Sequence, residues 1–106
     1  MCIAEKGVVM ASECVFIVNL QNVKSQPEDI CHFIKKKFNE FLSLGYTTFK
    51  FIVVTDKELN EWIDYVRCII EYNISATITI DQVNEMSEEV VRNAEKISDF
   101  LIIKHE

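Results

Sequence analysis

Cys31 and His32 are the one place where a nucleophile and a base stand side by side in this chain. Nucleophilic catalysis needs the two within hydrogen-bond reach, but adjacent residues of a helix point about 100° apart, so this pair does not form a dyad. On a helical wheel Cys31 falls beside Phe38 and Leu42 at the margin of an apolar face. His32 falls with Lys36 and Asn39 on the wet side. They read as core filler and surface residue. The second histidine, His105, is expected in a fraying tail. With no Ser-His pattern, an acyl-transfer enzyme is not expected.

Asp56 and Asp81 could face one another and hold a divalent cation, since hard cations take carboxylate oxygens. Two carboxylates of unfixed separation are a weak signal for that. The simpler reading is that Asp56 shares the capping of a helix and Asp81 begins a turn. Neither a resident metal nor another cofactor is expected. Cys2, Cys14, Cys31 and Cys68 have no C-x-x-C or other zinc spacing, and they read as free thiols of an intracellular protein. Gly7 and Gly45 are the only glycines, so the glycine-rich phosphate loops, G-x-G-x-x-G and G-x-x-x-x-G-K-[ST], are absent.

These residues need a scaffold, and the apolar pattern supplies one. Residues 8–11 and 14–20, β-branched runs around Ser12-Glu13, read as a hairpin. Ser25-Gln26-Pro27-Glu28 has capping-box spacing with a proline in the first turn. From there Ile30, Phe33, Ile34, Phe38, Phe41 and Leu44 recur at helical steps up to Gly45, which predicts a first helix over 27–44. Phe49 to Val54 is nearly continuously apolar and reads as a central strand covered on both faces. Thr55-Asp56-Lys57-Glu58 repeats the capping-box spacing before a second helix, whose inward face is Leu59, Trp62, Ile63, Val66, Ile69 and Ile70. Residues 74–80 alternate apolar with hydroxyl residues, as a strand near a sheet edge does. Val83, Met86, Val90, Ala94 and Ile97 have the spacing of a third helix, and Phe100 to Ile103 reads as a last short strand.

The expected fold is therefore α/β: a single domain over 1–106 with a mixed, largely parallel sheet of about five strands, an N-terminal hairpin and three helices. In such sheets ligands bind beyond the carboxyl ends of the strands. Asn19 and Gln21, Thr55 and Asp56, and Asp81 are the residues expected on that rim.

Composition narrows the function classes. The chain has 106 residues, 49% of them apolar, with only one proline. Disordered and low-complexity classes are excluded. Its apolar runs reach about five residues, against the roughly 20 of a membrane span. Met1 to Gly7 has no basic segment followed by an apolar stretch, so no secretory signal is read and a cytoplasmic location is expected. The net charge is −6 and is concentrated in the C-terminal half, which opposes polyanion binding. Lys35-Lys36-Lys37 is the only basic cluster, and without aromatic stacking partners it reads as a solvated helix face rather than a nucleic-acid site.

The second predicted helix carries a less ordinary pattern. Glu61, Tyr65, Cys68 and Tyr72 fall together nearly opposite its inward face. Tyrosine buries apolar area while keeping a hydroxyl for hydrogen bonding, so such a stripe suits a protein interface or packing on a neighbouring helix.

A hairpin, a helix and then repeated strand and helix units within about 100 residues resembles the topology of STAS, or anti-sigma-factor-antagonist, domains. The resemblance implies a regulatory domain phosphorylated by a partner kinase on a serine that opens the second helix. The matching region here is Thr55-Asp56-Lys57-Glu58, where Thr55 stands in for that serine.

The expected function is a non-catalytic protein-interaction or regulatory module, a homodimer among its options, with contact through Glu61, Tyr65, Cys68 and Tyr72. The alternative is a domain, enzymatic in one version, that binds a small polar ligand or metal at the strand-end rim.

Overall fold

The structure is a computed structural model and describes residues 13–21, 23–58 and 76–105. The first strand among the described residues, β1 (Glu13–Asn19), has a β-branched and aromatic centre from Val15 to Val18, and alternate side chains go to opposite faces. Helix α1 (Pro27–Ser43) follows. Its start differs from the expected capping box: the N-cap is Gln26, with no side-chain cap hydrogen bond. The start is favoured instead by Pro27 at the first turn, where no amide is needed, and by Glu28 and Asp29 against the helix dipole. Its end is as expected. Gly45 takes φ +105°, a left-handed conformation in which a side chain would be strained, and its amide donates to the Leu42 carbonyl at 3.0 Å.

Strands β2 (Thr48–Val54) and β3 (Thr77–Val83) run parallel to β1, and β5 (Leu101–His105) runs antiparallel along its other edge. The two-residue strand β4 (Glu95–Lys96) pairs antiparallel with β5. The order is β3-β2-β1-β5-β4. The result is a mixed α/β fold with a five-stranded sheet, and three expectations are corrected by it.

The sheet is mixed rather than largely parallel, because two of its four pairings are antiparallel. The short connection between β4 and β5 accounts for one of these pairings. Ile97 to Phe100 joins β4 to β5 by a tight turn, in which the Ile97 and Ser98 amides both donate to the Leu101 carbonyl, whereas a parallel return needs a dozen residues or more. The centre of the sheet is β1, not the 49–54 strand. Of the expected hairpin, residues 8–11 lie outside the described residues, and β1 has both its edges taken by β2 and β5.

The described residues contain two helices, and the expected third helix is not formed. Val83 ends β3, and only Glu88–Val91 (α2) is helical, capped by Ser87, whose hydroxyl accepts from the Val90 amide at 3.3 Å. Asn93 then turns the chain with φ +61°, a conformation asparagine tolerates better than most residues. Glu95 and Lys96 are taken into the sheet by β5. Strand pairing has overridden a helical spacing of five apolar residues. The second predicted helix, with its stripe of Glu61, Tyr65, Cys68 and Tyr72, lies outside the described residues.

One face of the sheet holds the core. Cys14, Phe16 and Val18 of β1, Phe49, Phe51 and Val53 of β2, and Leu101 and Ile103 of β5 are buried beneath Ile30, Ile34 and Phe38 of α1. Phe16 is its hub: its ring centroid lies 6.5, 6.0, 6.1 and 5.1 Å from those of Phe38, Phe41, Phe49 and Phe51. The contacts with Phe38, Phe41 and Phe49 are edge-to-face, the geometry favoured by the ring quadrupole. On the opposite face Ile17 and Val54 are also fully buried. No helix among the described residues is long and apolar enough to cross a membrane.

Phe16→Ala is expected to cost about 3–5 kcal/mol. Leu44→Ala, at a side chain 72% exposed, should stay within about 0.5 kcal/mol. Urea unfolding midpoints of the two variants check this; equal midpoints would remove Phe16 from the centre of the core.

Candidate functional site

The carboxyl ends of the three parallel strands lie level, with Asn19 opposite Val54 and Val54 opposite Val83. The ladder closes there through backbone bonds, Leu20 amide to Val54 carbonyl and Thr55 amide to Val83 carbonyl, each 3.0 Å. This places Asn19, Gln21, Thr55 and Asp56 along one rim.

One polar side-chain atom each of Asn19, Gln21 and Thr55 is bonded within the rim. The Asn19 Oδ1 accepts from the Gln21 amide at 3.0 Å, an Asx turn. The Gln21 Nε2 reaches across to donate to the Asn84 carbonyl at 2.6 Å. Thr55 is 1% exposed, and its hydroxyl oxygen accepts from the Lys57 amide at 3.1 Å. Gln82 makes two bonds: its Nε2 donates to the Lys57 carbonyl at 2.6 Å and to the Thr55 carbonyl at 3.2 Å. These side chains tie the loops after β1, β2 and β3 together.

Asp56 is exposed on that rim, but Asp81 is not at a strand end. Strand β3 continues to Val83, and Asp81 sits inside it opposite Ile52. Its Oδ2 lies 3.1 Å from the Lys50 Nζ of β2, with the two side chains 58% and 38% exposed. Such a diagonal pair on one face of a sheet contributes a few tenths of a kcal/mol, about 0.5. No group of three His, Cys, Asp or Glu side chains that could hold a metal occurs among the described residues.

Beside the rim lies a feature the sequence did not reveal. An open groove of about 530 Å³ has Met86, Val91, Ala94 and Ile102 among its lining residues. Asn19, Glu88, Lys96 and Asp99 also border it, so charges of both signs surround the apolar part. Most of its residues come from the segment read as a third helix, and the helical spacing concealed that they line a groove beside β1 and β5.

The remaining reactive groups are placed as follows. His32 is exposed on α1 with Lys36 and Asn39, as its wheel position implies. Cys31 is disulfide-bonded, which corrects the free-thiol reading for that residue. Cys14 is a free thiol with no exposed surface. Burial, aided by the negative charge of Glu13, pushes its pKa up from 9.0 to about 12, the reverse of what a nucleophilic cysteine needs. His105 is not in a frayed tail: it closes β5 opposite Cys14, and its Nδ1 lies 3.1 Å from the Tyr46 hydroxyl. Its ring also packs 5.1 Å from Phe41.

Compared with family models, curated proteins and solved structures, the chain matches none. These comparisons lend no support to the resemblance to STAS domains read from the sequence. Thr55, expected from the sequence to stand in for a regulatory serine, is buried, so a kinase would reach its hydroxyl only after local opening.

Gln82→Ala removes two hydrogen bonds between loops and should lower stability by about 1 kcal/mol. It should also speed amide exchange at Lys57 more than at Phe51. Equal protection at Lys57 in both proteins would deny Gln82 its tying role. The Cys14 thiol carries a pH signature. Its ionisation is suppressed in the folded state, so stability due to this group is complete below pH 9.0 and declines between 9.0 and about 12. Urea midpoints at pH 7 and pH 10 should therefore fall less in Cys14→Ala than in the wild type; equal falls would contradict this.

Proposed function

We propose that the domain is a non-catalytic protein-interaction or regulatory module. One observation carries the reading: polar side chains at the strand ends are bonded to the domain's own loops, and the concave surface beside them is an open groove with apolar residues in it. Polar groups that recognise a small substrate must be available to it, because each one left unpaired in a closed site costs affinity. An open, partly apolar surface with a mixed-charge border is instead the composition of a contact for another protein's side chains. The tyrosine stripe Glu61, Tyr65, Cys68 and Tyr72 is the second surface proposed for contact.

A small polar ligand at the rim is the competing reading, favoured by Asn19, which belongs both to the rim and to the groove border. The two readings part in one comparison. Immobilised wild-type domain should retain a protein partner that Ala94→Arg, or the pair Tyr65→Ala and Tyr72→Ala, loses, while nucleotides, carboxylic acids and divalent ions leave Tm unchanged. A compound that raises Tm by several degrees, as saturation of a single site does, and fails to do so in Asn19→Ala would overturn the module reading. A partner retained equally by the wild type and by all the variants would remove the groove and the tyrosine stripe as its contact surfaces.

A further inference from the structure

The two edges of the sheet are built differently. At one edge β4 is two residues long and carries Glu95 and Lys96, the short, charged form that discourages pairing with another chain. At the other edge β3 runs for seven residues, Thr-Ile-Thr-Ile-Asp-Gln-Val, in unbroken one-to-one register with β2. It contains no bulge, no proline and no lysine, and none of its seven residues is buried. Its single charge, Asp81, is already partnered by Lys50.

The backbone bonds show which groups face outward. The Thr77 amide donates to the Thr47 carbonyl at 2.8 Å, and the Val83 carbonyl accepts from the Thr55 amide at 3.0 Å. A strand residue directs its N–H and C=O to the same side, and the next residue directs them to the other. Thr77, Thr79, Asp81 and Val83 are thus tied inward, and Ile78, Ile80 and Gln82 direct their amides and carbonyls to an edge that no strand among the described residues pairs with.

We propose that this edge pairs antiparallel with the same edge of a second copy, about a two-fold axis at Thr79, so that the two sheets become one. Outward-facing residues must meet outward-facing residues, which leaves few registers. A two-fold axis at Asp81 opposes two like charges, which is destabilising. An axis at Ile80 sets Ile78 against Gln82. An axis at Thr79 sets Ile78 of each copy against Ile80 of the other, exchanging their amide bonds. On the opposite face it sets Thr79 against Thr79 and Thr77 against the carboxylate of Asp81. Apolar meets apolar and donor meets acceptor throughout, the self-complementarity a two-fold contact requires. One strand pair is a small interface, so the dimer is weak and concentration-dependent. This goes beyond the module reading and does not depend on any foreign partner.

Light scattering at concentrations about a hundredfold apart tests it, with the wild type, Thr79→Lys, Thr79→Glu and an equimolar mixture of the two variants. The wild type should move from monomer mass to dimer mass. Each variant alone should raise the dissociation constant about tenfold, since like charges then stand opposite one another, and the mixture should recover the dimer because opposite charges then meet. Thr77→Lys, brought against Asp81 of the second copy, should tighten it. Thr79 is exposed, so circular dichroism should show every variant folded; should Thr79→Lys unfold, the tightening by Thr77→Lys decides. Wild type that stays monomeric at both concentrations would overturn the proposal, as would a dimer indifferent to Thr79→Lys and Thr77→Lys. Either outcome leaves the module reading standing, because that is judged by partner retention.

Discussion

Everything in this fold leans on β1, because it has no free edge. β2 takes one edge of the strand and β5 the other, and α1 lies over Phe16 on one face while Ile17 is fully buried on the opposite one. A backbone held that way has its amides and carbonyls paired on both sides, and an unpaired one would cost far more than a typical bond contributes. The aromatic cluster follows from it. Phe16 projects from the middle of the sheet, so the rings of β2 and α1 have a common centre to pack against. The level strand ends follow as well, since the register of β1 with β2 sets where both stop.

The strand-end rim shows how position and chemistry can part company. In parallel sheets this is where ligands are commonly met, and the residues at hand are of suitable type. Here three loops leave the sheet within a few residues of one another, and each has carbonyls or amides that need partners. Asn19, Gln21, Thr55 and Gln82 meet that need. These bonded atoms serve the loops first, because the loops are closer than any visitor.

Much of the architecture was legible. The periodic apolar residues from Ile30 to Phe41, with Pro27 ahead and Gly45 behind, defined α1 to within a residue, because burial, the proline start and the glycine stop agreed even though the expected capping box did not form. The alternation in β3 gave both its strand character and its place at an edge. What could not be read was decided by partners distant in sequence. Nothing local says that the strand at 101–105 inserts beside β1, or that Glu95 and Lys96 pair with it instead of extending a helix. Asp81 looked like a turn residue because aspartate favours turns, and only the lysine two strand positions away explains its comfort inside a strand. The groove was missed for the same reason, being made of residues whose spacing answered to a different element. The tyrosine stripe was readable as a pattern and lies outside the described residues.

The placement of β5 has a consequence for how the chain is made. The neighbour that completes β1 arrives about eighty residues after it in sequence. During synthesis the first strands and α1 emerge with that slot vacant, presenting an apolar row and unpaired amides to whatever is near. The nascent domain must wait for β5 before β1 is paired on both edges. A chaperone that shields one sheet edge during that interval would matter more here than for a fold whose strands are added in spatial order.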